Sequence, residues 1–483
     1  MSTPIPVNHA TFTVWEVAAV TGGRVVGVHD RDLRAASITT DSRAAGPGVA
    51  FVALVGERLD AHRFVAATWT AGSPFAIVAE PQGEGPQVVV DDTLVALGAL
   101  ARAHLRRWRK ATPRAVTAAV TGSAGKTTTK EILAVLLGAR LSTWKTPGNL
   151  NNRIGLPMVA LATAPSHEAV VLEAGMSLRG EIAALTAIAE PDVAVISSIG
   201  LAHAEGVGGA LSDVAREKGD IVRGLNESGV AVLHAEDPVA LAQALGARCR
   251  RVVTFGRGDG ADVRLVSRRI DGLEAATLRV RRAGVDAAPF EVLVPFPGEA
   301  QALDFCAALA AADVLLASPL RAAEVAEAMS RLAPLEGRGR VVLGQGGVTL
   351  IDDCYNANPE SVLRALELTR ELADQRKLRA NVVLGAMREL GVASAAAHAR
   401  VLDRALELGF TRVVGAGAEM DAAMKAHPSA ERFMPCGGVD AATAHLQGCL
   451  SAEDLLLVKG SRSVGLERLL EALAGATPPM ETT

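Results

Sequence analysis

A glycine-rich turn that carries one lysine, residues 121–127 (TGSAGKT), has the clearest chemical meaning in this chain. The apolar, partly β-branched run at 116–120 predicts a buried strand before it, and the amphipathic stretch at 128–137 predicts a helix after it. In that setting the glycines let backbone N–H groups approach an anion, while Lys126 and the start of the helix add positive charge. The Thr127 hydroxyl is then placed to hold Mg²⁺. We therefore expect a nucleotide phosphate site.

The turn does not meet the pattern G-x-x-x-x-G-K-[ST] in full, because Val120 stands at the first glycine position and Gly122 anchors the loop instead. An ordinary turn with a chance Gly-Lys-Thr is the alternative in a chain with 47 glycines. The strand before the turn and the helix after it favour the phosphate site. The residues expected to hold the phosphates are Thr121, Gly122, Ser123, Ala124, Gly125, Lys126, Thr127 and Thr128.

Two further polar residues follow apolar strands predicted for the same sheet. Glu173 ends the run AVVLE at 169–173, where an acid can hold Mg²⁺ directly or through water; a surface glutamate is the plainer alternative. His203 follows the run at 193–196 and is expected to bind a second metal ion, with a structural histidine as the alternative. Ligands of such sheets bind at the carboxyl ends of the strands. Lys218 lies in a helical pattern, and its residue type alone predicts a solvated lysine.

Polar clusters also end apolar runs in the last third of the chain. They are residues 352–359 (DDCYNANP), 387–391 (MRELG) and 459–463 (KGSRS). Turn formation explains their Asp, Asn, Gly and Pro residues. It does not explain why Lys459 and Arg462 flank glycine and serine directly after a strand, whereas an anionic ligand does.

Near the N-terminus, residues 40–43 (TDSR) form a polar cluster before the turn at 46–48. A capped loop accounts for it, since Asp and Ser favour turns by bonding their own backbone. The alternative is that Arg43 contacts an anion such as a nucleotide sugar.

Composition limits the classes of protein that this chain can be. Hydrophobic residues make up 49% and aromatic residues 3%, so aliphatic cores are expected. The net charge of −4 argues against nucleic-acid binding, which needs a basic surface. Five scattered cysteines without a C-x-x-C pair indicate neither zinc nor disulfides. Neither a signal peptide nor a membrane span is predicted, so a reducing, cytoplasmic setting is expected.

The 483 residues suggest about three domains, all of the α/β class. A small α/β domain is expected at 1–112. Alternating apolar strands and helices at 113–333 predict a central, mostly parallel, phosphate-loop ATPase-like sheet, with antiparallel hairpins between 263 and 294 and two alanine-rich helices after them. A Rossmann-like α/β domain is expected at 334–483.

Taken together, these motifs closely resemble the Mur ligases, the ATP-dependent amide-forming enzymes of peptidoglycan precursor synthesis. The resemblance covers all three expected domains: TDSR and Asp60-Ala61-His62 in the first, TGSAGKTT, EAGMS, IGLAHAEGVG and AREKGDI in the second, and PLEGRGR, DDCYNANP and VKGSRS in the third. The stretch at 146–152 (TPGNLNN) is most similar to the branch of the family that joins D-Ala-D-Ala to UDP-MurNAc-tripeptide. That reaction, ATP and two Mg²⁺ ions are what the resemblance implies, together with a monomeric enzyme.

The resemblance also implies roles for individual residues. Lys218 would be carbamylated, and its new carboxylate would hold the second Mg²⁺ together with His203. The catalytic residues would be Lys126, Glu173, His203, Lys218, Arg338 and Asp353, with Gln301, Asp304 and Arg338 added to the nucleotide site and Thr127, Glu173, His203 and Lys218 as metal ligands. The substrates would be bound by Ser42, Arg43, Thr146, Asn149, Asn151, Asn152, Tyr355, Asn356, Asn358, Lys459, Ser461 and Arg462.

The chain departs from the family near the nucleotide site. Ala300 stands where the family usually has histidine, and Gln301 and Asp304 stand where it often has asparagine. Four alternatives remain: a sister ligase that adds the third peptide residue, a folylpolyglutamate synthase, a phosphate-loop ATPase switch without ligase activity, and a non-catalytic homologue. The sequence does not distinguish meso-diaminopimelate from lysine as the third peptide residue.

Overall fold

The structure is a computed structural model that describes residues 3–56 and 59–474. Within these residues the strands form sheets of two, five, nine and six strands. This α/β architecture agrees with the fold class predicted from the sequence. No helix in the described ranges is both long enough and apolar enough to cross a membrane.

The five-stranded sheet and the two-stranded sheet lie in the first part of the chain. The five-stranded sheet has the order β2-β7-β6-β5-β4, with β2 antiparallel at its edge, and β1 pairs with β3. The first helix begins at a capping box formed by Thr13 and Glu16 and ends at Gly22, whose φ is 70°. The elements are β1 (Phe12–Thr13), α1 (Val14–Thr21), β2 (Arg24–Val26), β3 (Arg34–Ala35), β4 (Ser37–Thr39), β5 (Val49–Val52), α2 (Val65–Thr70), β6 (Ala76–Val78), β7 (Gln87–Val89) and α3 (Thr93–Ala111).

The nine-stranded sheet lies at the centre, in the order β16-β15-β14-β13-β12-β11-β8-β10-β9. Its strands are parallel from β9 to β14 and antiparallel from β14 to β16, as the sequence predicted. The elements are β8 (Val116–Thr121), α4 (Lys126–Leu137), β9 (Thr143–Lys145), α5 (Gly155–Leu161), β10 (Ala169–Glu173), α6 (Glu181–Ala189), β11 (Val193–Ile196), α7 (Leu211–Arg223), β12 (Val230–His234), α8 (Pro238–Leu241), β13 (Arg251–Gly256), β14 (Val263–Ile270), β15 (Ala276–Arg282), β16 (Phe290–Val294), α9 (Glu299–Leu315) and α10 (Ala322–Ser330).

The register of the three central strands brings their carboxyl ends to one edge of the sheet. Glu173 pairs with Val120, and Ile196 pairs with Thr121. Every residue of β10 and β11 is buried, which explains their continuous aliphatic sequence. The loops that leave these three strands therefore meet, and the predicted phosphate loop is one of them.

The six-stranded sheet occupies the last part of the chain, in the order β17-β18-β22-β19-β20-β21, with β17 antiparallel at one edge. Its interior strands are parallel, as expected for a Rossmann-like sheet. The elements are β17 (Arg340–Leu343), β18 (Thr349–Asp353), α11 (Pro359–Arg376), β19 (Arg379–Gly385), α12 (Ser394–Glu407), β20 (Arg412–Ala416), α13 (Ala418–Ala426), β21 (Met434–Pro435), α14 (Val439–Gln447), β22 (Asp454–Lys459) and α15 (Glu467–Ala474).

A group of arginines on α3 attaches the first part of the chain to the central sheet. Arg102 and Arg106 both donate to the carboxylate of Glu190, which follows α6. Arg109 donates to the carboxylate of Asp192 at 3.0 Å and to the carbonyl of Glu190 at 2.6 Å. We name these three arginines and two acids the arginine clamp. Because several charged hydrogen bonds act together, this contact holds α3 in one orientation on the central sheet.

Candidate active site

The phosphate loop between β8 and α4 has the backbone that its glycines permit. The φ angles of Gly122 and Gly125 are 157° and 84°. A Cβ atom on Gly122 would lie 2.1 Å from Ser197 Oγ, and one on Gly125 would lie 2.2 Å from Asp304 Oδ1. Both positions thus exclude a side chain for steric and for conformational reasons.

The loop that follows β11 holds the phosphate loop in place. The amide of Ser123 donates to the carbonyl of Ser198, and the amide of Ala124 donates to the Ser198 hydroxyl, both at 2.9 Å. The Ser123 hydroxyl donates to the carbonyl of Gly200 at 2.7 Å. The N-terminus of α4 is therefore presented to the site on a fixed loop, and its dipole favours an anion there.

Two lysines converge on one carbonyl of this loop. Lys126 Nζ and Lys218 Nζ each donate to the carbonyl of Gly122 at 2.9 Å. Lys218 is 1% exposed. Burial, and then the nearby positive charge of Lys126, lower the pKa of Lys218 well below its ordinary value. The solvated lysine expected from residue type alone is thus wrong at position 218, because this amine is buried and its burial disfavours the charged form.

Glu173 is fixed by partners on two sides. Its Oε2 accepts from the Thr127 hydroxyl, and its Oε1 accepts from Asn151 Nδ2, both at 2.8 Å. Its amide donates to Thr146 Oγ1 at 2.9 Å. The carboxylate is 2% exposed, so the surface role considered for it is excluded. A hydroxyl and a carboxylate oxygen thus lie together at the mouth of the phosphate loop.

His203 faces the last part of the chain. Its Nδ1 contacts the carboxylate of Glu389, and the amide of Glu205 donates to the carbonyl of Glu389 at 3.3 Å. Both His203 and Glu389 have positive φ, 56° and 61°, which is uncommon outside glycine. The two loops therefore meet through two residues in an unfavourable backbone conformation.

The six-stranded sheet, called the third sheet below, contributes a second set of charged groups. Lys459 Nζ donates to Asp353 at 2.6 Å, and the Arg338 guanidinium lies 4.3 Å from the centre of the Tyr355 ring. The Asn358 side chain donates to the carbonyl of Ser123 at 3.0 Å, and so joins the third sheet to the phosphate loop.

A cavity of about 770 Å³ opens between these two sets of groups. Its volume is in the range of cofactor and ligand sites. Among the predicted residues, those lining it are Ser123, Ala124, Gly125, Lys126, Thr127, Thr128, Asn149, Asn151, Asn152, Glu173, His203, Gln301, Asp304, Arg338, Asp353, Tyr355, Asn356, Asn358, Lys459 and Arg462.

Other predicted residues lie behind or away from this lining. Thr121 and Thr146 are fully buried, and the Ser461 hydroxyl accepts from the amide of Arg388. Lys218 reaches the back of the phosphate loop. Arg43 is mostly exposed, and its guanidinium bonds Asp41 at 2.6 Å, while Ser42 belongs to the same short turn. The structure does not bring Ser42 or Arg43 to the cavity, and their substrate role stays a prediction.

Several charged residues at the site were not predicted from the sequence, among them Arg268 and Glu371, which also line the cavity. Arg364 on α11 lines the cavity, and Lys130 on α4 is fully buried beside it. Lys130 is four residues after Lys126, so both point from one face of the helix, and that spacing was the available signal. For Arg364 the sequence carries no comparable signal.

Two acids in the cavity wall have pKa values above the ordinary value of aspartate. Burial raises the pKa of Asp304 to about 7, although the positive charges of Arg364 and Arg338 oppose the shift. Burial also raises the pKa of Asp353, against the influence of Lys459. Negative charge is thus unfavourable at Asp304, where a polyphosphate would lie nearby.

The donor set at Thr127 and Glu173 fits one Mg²⁺ ion. The ion prefers oxygen ligands, and at nucleotide sites it takes one or two from the protein and others from phosphate and water. Within the described ranges, no group of three or more His, Cys, Asp or Glu side chains is arranged to hold a metal. His203 contacts one carboxylate, that of Glu389, so a second ion at His203 would need at least one further ligand.

Comparison with known proteins places this site in a family. Residues 120–312 match the family model described as "Mur ligase middle domain", and residues 337–462 match the one described as "Mur ligase, glutamate ligase domain". Together the two matches cover more than half of the chain. The chain belongs to the Mur ligase family, and it is a ligase.

Several relatives and solved structures are similar to this chain over nearly its whole length. The Escherichia coli K12 protein called UDP-N-acetylmuramoyl-tripeptide--D-alanyl-D-alanine ligase is 32% identical over 469 residues, which cover 96% of this chain and 98% of the relative. A crystal structure of MurF from Acinetobacter baumannii has a TM-score of 0.86 and 30% identity, covering 95% and 98% of the two chains. That of MurF ligase from Thermotoga maritima in complex with ADP has a TM-score of 0.77 and 28% identity, covering 90% and 96%.

Proposed function

We propose that this protein joins D-Ala-D-Ala to UDP-MurNAc-tripeptide, with conversion of ATP to ADP and phosphate, in the synthesis of peptidoglycan precursors. One observation carries the proposal. Lys126 and Glu173 from the central sheet face Arg338 and the Lys459–Asp353 pair from the third sheet across one cavity. The relatives that span nearly the whole chain are named for this reaction.

The reaction needs activation because a carboxylate is a poor electrophile. The terminal carboxylate of the tripeptide attacks the γ-phosphorus of ATP, which gives an acyl phosphate and ADP. The amine of D-Ala-D-Ala then attacks the acyl carbon, and the tetrahedral intermediate collapses with loss of phosphate and a proton. Since the first step brings two anions together, catalysis consists mainly of positioning and charge neutralisation.

The central sheet is proposed to carry the phosphate chemistry. Lys126 would pair with the β- and γ-phosphates, on the loop that runs from Thr121 to Thr128. Thr127 and Glu173 would hold one Mg²⁺ ion, which when bound would neutralise phosphate charge. The peptide carboxylate would be placed by residues of the neighbouring loop, namely Thr146, Asn149, Asn151 and Asn152.

Lys218 is proposed to be carbamylated. Its neutral amine, favoured by burial, would add to CO₂ with loss of a proton and form an N-carboxylate. That group would supply a further oxygen ligand for a second Mg²⁺ ion beside His203. The second Mg²⁺ ion thus depends on the modification of Lys218, and the burial of the Lys218 amine supports both.

The third sheet is proposed to close the site on the nucleotide and the incoming dipeptide. Arg338 would reach the phosphates, while Gln301 and Asp304 would lie against the nucleoside. Closure would bring the remaining groups to the acyl phosphate and D-Ala-D-Ala, namely Asp353, Tyr355, Asn356, Asn358, Lys459, Ser461 and Arg462.

The resemblance to the family also assigns a role to each of the three domains. We infer a uridine-nucleotide domain at 1–112, with Ser42 and Arg43 as contacts, an ATP-binding ligase domain at 113–333 and a closing domain at 334–483. The two-stranded and five-stranded sheets fall within the first range, the nine-stranded sheet within the second and the six-stranded sheet within the third. We also infer a cytoplasmic monomer.

Phosphate release by the purified protein tests the function. Release should require ATP, Mg²⁺, UDP-MurNAc-tripeptide and D-Ala-D-Ala together, and mass spectrometry should find the UDP-pentapeptide. Tripeptides ending in meso-diaminopimelate and in lysine are both supplied, because either could be the substrate. Release without the peptide substrates would indicate an ATPase switch, and extension of a UDP-dipeptide or a folate by an amino acid would indicate a sister ligase.

A further inference from the structure

A second lysine of the phosphate-loop helix has no part in the proposed chemistry. Lys130 lies one turn after Lys126 in α4, and its side chain is 0% exposed. Its ammonium group donates to the carbonyl of Thr146 at 2.7 Å, and it approaches the carbonyl of Gly148 at 3.4 Å. It also pairs with Glu131 Oε1 at 2.9 Å. Lys130 therefore joins the helix to the loop at 146–152.

Burial of a lysine costs free energy, so its presence at this position indicates a role beyond filling space. Removal of an ammonium group from water carries a large desolvation penalty, and an apolar side chain of the same volume avoids it. Glu131 is already paired with Lys145, so that carboxylate does not depend on Lys130 for a partner. What Lys130 alone provides is a bond to carbonyls of the loop.

The same loop holds the carboxylate that faces the phosphate site. Thr146 Oγ1 accepts from the amide of Glu173, and Asn151 Nδ2 donates to the Glu173 carboxylate. Lys130 Nζ lies 3.8 Å from the same carboxylate. One ammonium group thus touches the helix that carries Lys126, the loop, and the environment of Glu173.

We propose that Lys130 is a positioning residue that fixes the loop at 146–152 and the Glu173 carboxylate relative to the phosphate loop. Its effect is to keep the peptide carboxylate in line with the nucleotide's terminal phosphate. This inference rests on the proposed function, because it takes the loop to contact the UDP-tripeptide. The effect of Lys130 on the rigidity of the loop does not depend on that function.

Three variants separate positioning from simple support of the fold. Lys130→Met removes the charge and keeps the volume. Lys130→Met leaves the partly buried Glu131 carboxylate without one of its partners, which can destabilise the fold. The double variant Lys130→Met with Glu131→Gln removes both charges and avoids this penalty. Lys145→Met is the matched control, because it also removes a lysine bound to Glu131 but leaves the loop carbonyls bonded.

Hydrogen exchange without substrates is the first measurement. The amides of Thr146, Leu150 and Asn151 are hydrogen bonded in the native loop. Loss of Lys130 should speed their exchange about tenfold, the effect of losing about 1.4 kcal/mol of local stability. Lys145→Met should leave the rates within about twofold.

Steady-state kinetics is the second measurement. Lys130→Met should raise the KM for UDP-tripeptide about tenfold and lower kcat. The KM for ATP should rise less, because Lys126 keeps its bond within the phosphate loop. Unchanged exchange in the double variant, or an equal change in both KM values, would overturn the proposal. Failure of the wild-type enzyme to turn over would instead overturn the proposed function and leave the exchange result valid.

Discussion

The two walls of the cavity are built differently. On the central sheet, the charged groups are bonded within one framework: Lys126 and Lys218 share the carbonyl of Gly122, and Glu173 is held by Thr127 and Asn151. On the third sheet, Lys459 pairs with Asp353, and Arg338 lies on Tyr355. The first wall rests on neighbouring parallel strands, whereas the second is a separate sheet with its own core.

Both polar and apolar contacts join the two units: Ile270 and Leu273 of the central unit pack against the core of the six-stranded sheet, and polar groups meet between the walls. The polar contacts include Asn358 with the carbonyl of Ser123, Arg268 with Glu371 at 2.6 Å, and His203 with Glu389. A single neutral hydrogen bond such as that of Asn358 contributes about 1 kcal/mol of net free energy, because the separated groups bond water instead. The central wall is thus bonded within itself, and we expect the closure proposed above to move the third sheet against it. Variants of the central wall should therefore reduce catalysis most, and variants of the junction should act mainly on closure.

Lys126→Ala should have the largest effect. Removal of the phosphate-loop cation should lower kcat/KM by about 10³-fold or more, since transition-state charge is stabilised mainly by such fixed groups. Phosphate release with all substrates measures the loss. Lys145→Met, which alters a partly exposed lysine of the same sheet, serves as the control. Full activity in Lys126→Ala would mean that the central wall is not the phosphate site.

Lys218→Ala should come next, with a loss on the order of 10²-fold, because a metal ligand would be missing from the site. Acetate or formate should restore part of the rate by occupying the space of the lost carbamate. Lys126→Ala, tested in the same buffers, should not be restored. Wild-type rates in Lys218→Ala, or a lack of response to carboxylic acids, would show that no carbamate acts there.

Asn358→Ala tests the junction. The bond to the phosphate loop and the N-cap of α11 are both lost, so kcat/KM for ATP should fall about tenfold and stability should fall by about 1 kcal/mol. Small-angle scattering should show wild-type protein contracting with an ATP analogue and UDP-tripeptide, and the variant should contract less. Asn226→Ala is the control, since that side chain bonds Ser228 within its own turn. A wild-type scattering curve that ligands leave unchanged would remove the distinction between fixed and mobile walls.

Asp304→Asn should have the smallest effect, on stability at high pH. Burial raises the pKa of Asp304 from 3.8 to about 7. A raised carboxyl pKa means that the folded state holds its proton more tightly, so wild-type stability falls as pH rises from about 4 to about 7. Each pKa unit of difference corresponds to about 1.4 kcal/mol as an upper limit. Urea unfolding should show that the free energy of unfolding of the variant, relative to that of the wild type, is higher at pH 8 than at pH 5. The same difference at both pH values would contradict this.

The sequence predicted what depends on local pattern. Buried parallel strands such as β10 are continuous aliphatic runs, and the turn at 121–127 carries its glycines where the backbone needs them. The short edge strands β9 and β17 were missed, because three or four residues of mixed polarity carry too little periodic signal. Placement of the cavity residues needed the resemblance to a family as well as the pattern.

Burial of charged residues was the main failure of reasoning from residue type. Lysine is rarely buried, so residue type did not indicate the burial of Lys218 or Lys130, although its spacing from Lys126 placed Lys130 on the same helix face. Their burial depends on the packing of helices against the sheet and on carbonyls supplied by distant loops, such as that of Thr146 for Lys130. These contacts join residues far apart in the chain and are therefore absent from any local pattern.

The arginine clamp gives the molecule a fixed internal length. Because Arg102, Arg106 and Arg109 bond the acids after α6, they oppose sliding of the five-stranded sheet along the central sheet. A substrate bound as proposed, with its nucleotide on the first domain and its terminal carboxylate at the central cavity, must span that interval. The clamp would thus act as a ruler, which accepts or refuses a peptide by the number of its residues before any side chain is recognised.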